Sequence, residues 1–461
     1  MKPRHATYVT RLPVLALLGT LVACGLGAAE RKPNVILIMA DDFGYECVTA
    51  NGGQSYQTPH LDRLAATGMR FEKCHVQPLC TPTRVQLMTG IYNVRNYIEF
   101  GLLDPKATTF GHLMKEAGYA TVICGKWQLG QGRDLPQRFG FDESYLWQHT
   151  RRPPRYANAG LEHNGVEKDF KIGEYGPRLV NDYVLDFVSR HRDRPFFLYY
   201  PMILTHDPFQ PTPDSANWDP KLKTERDQRD VKHFADMTAY MDNMIGRLVA
   251  KLDELGLREN TLVMFIGDNG THPTVTSRFK GTAYQGGKGS GTARGIHVPF
   301  IANWPGRIPA GRVNSDLIAS VDFLPTICEA AGTTVPATLR IDGQTFLPQL
   351  LGKRGQPRES FYLWYARNGG PTATFEFAQG TTHKLHRDGK CYDLSKDPFE
   401  GKPLLVAKLS GPAAAEVKTL QAVLDQYASA RPAHLEKPVP QTAAKAGAVQ
   451  NKAGRKANES K

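Results

Sequence analysis

The 461-residue sequence predicts an α/β fold: a large mixed, mostly parallel sheet flanked by helices, then a small antiparallel sheet closed by a helix. Three observations lead there. Short β-rich apolar runs recur without polar alternation, as strands buried on both faces require. Segments of helical periodicity lie between them, the pattern of strands joined by crossover helices. After about Gly332 the runs shorten and Pro-rich connections link them, which fits a small antiparallel sheet.

Four of the early runs end alike. Val35–Met39 passes into Asp41-Asp42, Thr121–Cys124 into Gly125-Lys126, Phe196–Tyr200 towards Thr205-His206, and Leu262–Ile266 into Asp268-Asn269. Ligands of a doubly wound sheet gather beyond the carboxyl ends of its strands, so four runs delivering polar residues there define a candidate site. Asp236–Leu255 carries Met237, Tyr240, Met241, Met244, Ile245 and Leu248 at helical spacing, a stripe that reads as core. In the C-terminal part Phe361–Tyr365, His383–Leu385 and Tyr392–Leu394 are the short strands, and Ala413–Tyr427 is the closing helix.

Residues 1–29 have the layout of an export signal peptide. Lys2, Arg4 and Arg11 form a basic start, and Leu12–Leu26 is apolar but short for a membrane span. Gly27-Ala28-Ala29 suits signal-peptidase cleavage before Glu30, whereas Leu21-Val22-Ala23-Cys24 resembles a bacterial lipobox that would lipidate Cys24. Either exit implies export to the periplasm, cell surface or medium of a bacterium, with membrane attachment only through a lipid on Cys24. The rest divides into a main domain at 33–332, a C-terminal subdomain at 333–430 and a tail at 431–461. The basic, Ala-rich tail reads as disordered.

The net charge of +12 says little about partners. Setting aside +3 in the export segment and +5 in the tail leaves +4 on residues 30–430, and no nucleic-acid-binding motif is present. Beyond Cys24 the cysteines are Cys47, Cys74, Cys80, Cys124, Cys328 and Cys391. None forms a CxxC pair, which excludes zinc ribbons and dense disulfide scaffolds.

The most specific segment is Cys80-Thr81-Pro82-Thr83-Arg84-Val85-Gln86-Leu87-Met88-Thr89-Gly90. Pro82 suits a first helical turn and Gly90 its terminator. Cys80 then lies at the helix N-terminus, where free N–H groups favour an anion, and Arg84 falls on the same face one turn deeper. Alone, such a cysteine is more often structural than reactive. Asp41-Asp42 alone would be a solvated turn, and a lone Lys126, His206 or Lys288 a surface or core residue.

Their order changes those odds. Cys80-x-Pro82-x-Arg84, followed by Leu87 and Thr89-Gly90, resembles the modification signature of the formylglycine-dependent type I sulfatases, arylsulfatase-like members of the alkaline phosphatase superfamily. Thr83 stands where Ser is commoner. Pro33–Gly44 resembles the family's opening strand with paired metal-binding aspartates, and Asp268-Asn269-Gly270 its second metal motif. Gly125–Gly130 and Gly286–Gly289 resemble two further blocks, and His206 before Asp207-Pro208 matches the active-site histidine. The motifs run in family order over residues 33–306.

The resemblance implies an alkaline-phosphatase-like fold and hydrolysis of sulfate esters, on a sulfated carbohydrate as exported bacterial members usually act. It implies that a formylglycine-generating or anaerobic maturing enzyme oxidises Cys80 to formylglycine. Asp41, Asp42, Asp268, Asn269 and residue 80 would hold one cation. An all-oxygen set suits a hard ion, Ca²⁺ ahead of Mg²⁺, rather than zinc. Arg84 and Lys126 would hold residue 80, while Lys288 and His206 contact the sulfate and leaving oxygen, one of them protonating the alcohol.

Two positions depart from the family. Gln128 stands where Gly-Lys-Trp is usually followed by His, and an amide cannot accept the proton, so either that step is slower or another base serves, His149 or a metal-linked water. Ala293-Arg294-Gly295-Ile296-His297 replaces the usual Glu-Gly-Gly-x-Arg. Two other readings stay open: a phosphate or phosphonate monoester hydrolase on the same scaffold, and a non-catalytic sulfated-glycan-binding lipoprotein, for which Gln128 is the argument. The segments that would set specificity, Tyr145–Tyr175 and the C-terminal part, carry no decodable pattern.

Overall fold

The computed structural model describes Met1, Pro3, residues 31–222 and residues 228–436. Cys24 with most of the export segment, and the tail beyond Glu436, lie outside the described residues. From Lys32 onward the described residues form one compact unit.

The strands in chain order are β1 (Asn34–Ala40), β2 (Met69–His75), β3 (Ala120–Gly125), β4 (Glu143–Trp147), β5 (Gly160–His163), β6 (Val166–Asp169), β7 (Phe196–Pro201) and β8 (Thr261–Gly267). There follow β9 (Thr276–Phe279), β10 (Thr282–Gln285), β11 (His297–Asn303), β12 (Arg312–Ala319), β13 (Phe361–Tyr365), β14 (Phe375–Gln379), β15 (His383–His386) and β16 (Cys391–Asp393). Among the described residues, ten strands form one sheet in the order β12-β2-β11-β8-β1-β7-β3-β4-β5-β6. Its centre, from β8 through β1, β7 and β3 to β4, is parallel. β11 runs antiparallel to both β2 and β8, and β5 and β6 extend the other edge antiparallel. β9 and β10 form a hairpin, and β13–β16 the small antiparallel sheet.

The unbroken apolar runs have a direct physical reason. Val35, Leu37 and Met39 of β1 enter one core, while Ile36, Ile38 and Ala40 enter another on the opposite face. β8 and β7 divide in the same way, so every position of these strands is buried. The second core is roofed by the helices Gly176–Arg190 and His233–Glu254, the latter through the Met237–Leu248 stripe. That helix begins three residues before its periodicity suggests, because His233 and Phe234 are also buried. Burying a Met or Leu of this stripe contributes about 1.5–3 kcal/mol, so Met241→Asp would break the contact.

The first core holds the Cys80–Thr89 helix and extends without a break into the small sheet, through Phe361, Leu363 and Phe377, and the Gly411–Tyr427 helix. At the start of the expected tail, Arg431 stacks on Trp364 at 4.3 Å and donates to the carbonyls of Val94, Tyr97 and Leu435. A short helix follows at Ala433–Glu436. The six described cysteines named above are all buried and unpaired. No helix among the described residues is long and apolar enough to cross a membrane.

Candidate active site

β8, β1, β7 and β3 are neighbours and parallel, so their carboxyl ends open on one edge, where Asp268-Asn269, Asp41-Asp42, Thr205-His206 and Lys126 emerge. Backbone bonds knit the exits together. The Asp41 amide donates to Leu204 O at 2.9 Å and the Asp268 amide to Ala40 O at 3.0 Å. Gly125 has φ 119°, and a Cβ there would lie 2.0 Å from Pro201 O, so only glycine lets β3 pass. The next amide, that of Lys126, donates to the same carbonyl at 2.7 Å.

The Cys80–Thr89 helix is buried along its whole length and stops at Gly90, whose φ of 69° supplies the left-handed terminator. Thr83 has a definite task. Its hydroxyl donates to Asp268 O at 2.6 Å and accepts from the Gln77 amide at 3.0 Å, tying the Cys80 turn to the end of β8. Arg84 donates to Lys126 O at 2.9 Å and to Asp268 Oδ2 at 3.2 Å. It therefore braces the ligand-bearing loops and feels Cys80 only electrostatically.

Each acid is balanced by a base. Lys126 Nζ donates to Asp41 Oδ2 at 2.6 Å and Lys288 Nζ to Asp42 Oδ2 at 2.7 Å. Burial alone would raise the Asp41 and Asp42 carboxyls, but Lys126 beside Asp41, and His206 with Lys288 beside Asp42, hold both below the usual range. Burial and Asp41 push Asp268 up to about 8, which Arg84 only partly offsets; a cation in the site would return it to the charged form. Burial takes His206 down to about 3 despite Asp42, whose Oδ2 lies 3.8 Å from its Nε2. Asp42 holds Lys288 protonated against burial. Burial keeps unmodified Cys80 a thiol, with Lys126 opposing.

The donors fit a hard cation. Asp41 Oδ1 and Asn269 Oδ1 are buried without a hydrogen-bond partner among the described residues. Asn269 Nδ2 donates to Asp42 Oδ1 at 2.9 Å, and the Asp42 amide to Asp268 Oδ1 at 3.0 Å, which draws these three candidate ligands together. Asp42 is held at φ 61°, a conformation that costs a non-glycine residue about 1–2 kcal/mol and is set here by that amide bond. Asp41, Asp42 and His206 also bring ligand atoms within 4.8 Å of one another.

All residues named from the sequence meet here or border the site, but not equally. Gln128 follows Lys126 at φ 60°, is part-exposed, and its carbonyl accepts from the Thr81 hydroxyl at 3.4 Å. His149 does not serve as a base for residue 80. Its Nε2 donates to Gly132 O at 3.1 Å, and its Nδ1 lies 3.4 Å from Glu162 beneath Trp127. Arg155 escaped the sequence reading; its guanidinium sits 3.0 Å from His206 Nδ1 and stacks on Trp147, and nothing in its loop signals that. The departing Arg294 segment packs as a short helix, with Arg294 over Phe399 at 4.1 Å and Gly295 O accepting from the Gly270 amide.

Fold and site together define an alkaline-phosphatase-like ester hydrolase whose centre pairs buried carboxylates with lysines. Residues 33–333 match the sulfatase family, and residues 292–426 match a region described as N-sulphoglucosamine sulphohydrolase, C-terminal. Arylsulfatase A of Homo sapiens is 32% identical over 479 residues, covering 87% of this chain and 88% of its own. N-acetylgalactosamine-6-sulfatase of Canis lupus familiaris is 33% identical over 457 residues, covering 85% of each. The crystal structure of Ps i-CgsB aligns with TM-score 0.75 and 25% identity over 91% of this chain and 98% of that one; it is also solved in complex with k-i-k-neocarrahexaose. The chain belongs to the sulfatase family and is a sulfuric ester hydrolase.

Proposed function

We propose that this sulfatase acts on a sulfated carbohydrate, with formylglycine made from Cys80 as nucleophile and one Ca²⁺ as resident cation. The observation that carries the reading is the junction of Cys80, at a buried helix start, with Asp41, Asp42, Asp268 and Asn269 and the bases Lys126 and Lys288. The oligosaccharide complex of Ps i-CgsB supports the carbohydrate. Export through residues 1–29, attachment through Cys24 and a maturing enzyme as transient partner belong to the same reading.

Formylglycine at residue 80 would supply, once hydrated, the nucleophilic oxygen and a route for releasing sulfate without attack of water at sulfur. A cation held by Asp41, Asp42, Asp268 and Asn269 would supply positive charge to the centre. The chain's own groups do the rest. Lys126, tied to Asp41, sets a fixed charge beside residue 80, and Arg84 keeps the loops in place. Lys288 passes a proton from Nζ to the leaving alcohol oxygen as the S–O bond breaks. His206 stays neutral. Arg155, a pure donor, makes its Nδ1 the acceptor and leaves the ring proton on Nε2, which steadies the leaving oxygen. The Asp207 carbonyl crowds the same Nδ1 and would need the opposite tautomer; the charged donor outweighs it.

The test is turnover of an aryl sulfate against an aryl phosphate by protein made with a maturing enzyme, alongside Cys80→Ala. The expected result is sulfate turnover, loss of it in the variant without loss of folding, and a residue-80 peptide about 18 Da lighter than the thiol form. Faster phosphate turnover would favour the other ester, and full activity of Cys80→Ala would end the covalent reading.

A further inference from the structure

Above the acid-rich centre opens a cavity of about 490 Å³, with His206 and Lys288 among its lining residues. Its lining also includes residues the reaction does not use: His272 from the loop after β8, and Tyr365, Arg367 and Phe375 from the β13–β14 end of the small sheet.

Tyr365 is only 4% exposed, yet its hydroxyl has no hydrogen-bond partner among the described residues. Burial holds its phenol above the ordinary value, with Arg367 pulling it down and Cys80 pushing it up, so the hydroxyl lies within electrostatic reach of both and stays a donor. Its ring is fixed against its cross-strand partner Phe375, centroids 6.3 Å apart. The Arg367 backbone carbonyl accepts from the Phe100 amide and the Tyr97 hydroxyl, and its guanidinium lies 4.6 Å over the Phe100 ring. No carboxylate pairs with it among the described residues.

His272 completes the set. The Thr274 amide donates to its Nδ1 at 3.3 Å, which makes that nitrogen the acceptor and leaves Nε2 as the N–H. Charge on the cavity wall is otherwise spent: Lys288 is paired with Asp42, and Asp207 with Arg229 at 2.6 Å. What is left over on the same wall is one cation and two donors, the chemistry that binds an oxyanion.

We propose that Tyr365, Arg367 and His272 form a second oxyanion subsite, which selects sugars carrying a carboxylate or a further sulfate beside the scissile sulfate. The cation belongs to Arg367, the orienting hydrogen bonds to Tyr365 and His272, and the apolar wall to Phe375. The inference rests on the sulfatase reading of the centre below and deepens it.

Competition for aryl monosulfate turnover tests it, with three probes: a hexosamine monosulfate, the matching disulfate, and the monosulfate joined to a uronic acid. Wild type should bind at least one doubly anionic probe about ten-fold more tightly than the monosulfate, the scale of a charge-assisted hydrogen bond. A gain for the uronate probe names a carboxylate as occupant, and a gain for the disulfate alone names sulfate. Arg367→Ala should bring the ratio near one, Arg367→Lys should restore part of it, and Tyr365→Phe should lower it a few-fold. Equal binding of all three probes by wild type, or an unchanged ratio in a folded Arg367→Ala, overturns the subsite. Failure of matured wild type to turn over the aryl sulfate at all would instead strike the reading of the centre.

Discussion

Arg84 and Asp268 form an ion pair of 3.2 Å in which neither side chain is more than 1% exposed. The same guanidinium holds Lys126 O at 2.9 Å, so one side chain ties the loops after β8 and β3 to the Cys80 helix. Removing one partner of a buried pair leaves an uncompensated charge, at about 3–5 kcal/mol. Arg84→Ala should lose stability on that scale in urea unfolding, and nearly all activity with it. Arg84→Lys should not restore activity, because one ammonium cannot reproduce the fork. A fully active Arg84→Lys would show that the fork is dispensable.

Asp41 and Asp268 differ in how their charge is balanced, and the proposed calcium site uses both. Asp41→Asn or Asp268→Asn deletes charge from an all-oxygen set. Each should remove most bound calcium, measured by elemental analysis after dialysis, together with nearly all turnover. Stoichiometric zinc, with activity resistant to calcium chelation, would contradict the assignment.

Much of this centre was legible in the sequence, for a physical reason. The β1, β3, β7 and β8 runs are buried on both faces and so are uniformly apolar, and the polar residues at their ends stand out against them. The Cys80 helix was legible through Pro82 and Gly90, whose backbone needs are local. By contrast β4, β5, β6 and β12 are short or half-exposed and left no such trace. Arg155, Tyr365 and Arg367 were illegible because their roles depend on long-range packing: Tyr365 reads as one more aromatic of a strand until β14 sets Phe375 beside it.

Asp242 gives a pH test away from the centre. It is fully buried in the His233–Glu254 helix and accepts from the amides of His60 and Leu61, capping the Pro59–Ala66 helix that Thr58 leaves without a side-chain cap. Burial pushes its carboxyl up to about 6, with those two amides opposing. A raised carboxyl binds more protons folded than unfolded, so its ionisation weakens the fold. The stability difference between wild type and Asp242→Asn should therefore move towards the variant as pH rises from about 4 to about 6, by roughly 3 kcal/mol, and stay level above that. A difference independent of pH in that window would remove the assignment.

Gln128 is where the chain departs most sharply from its family's pattern. The usual histidine would take a proton as sulfate is expelled, and a glutamine amide can only hold a hydrogen bond there. His149 does not fill the gap, since its nitrogens face Gly132 O and Glu162. A backbone at φ 60° is one that histidine adopts more readily than most non-glycine residues, and Gln128 is part-exposed, so an imidazole can be placed there without opening the core. Gln128→His should leave the protein active and mainly change the pH dependence of kcat, adding a limb near the imidazole range. Gln128→Ala removes positioning alone and should cost about ten-fold or less, milder than His206→Ala, which removes the ring beside Asp42 that the proposed reaction uses. Steady-state kcat and KM across pH decide it. If Gln128→Ala were as inactive as Cys80→Ala while His206→Ala kept turning over, the roles of both residues would have to be exchanged.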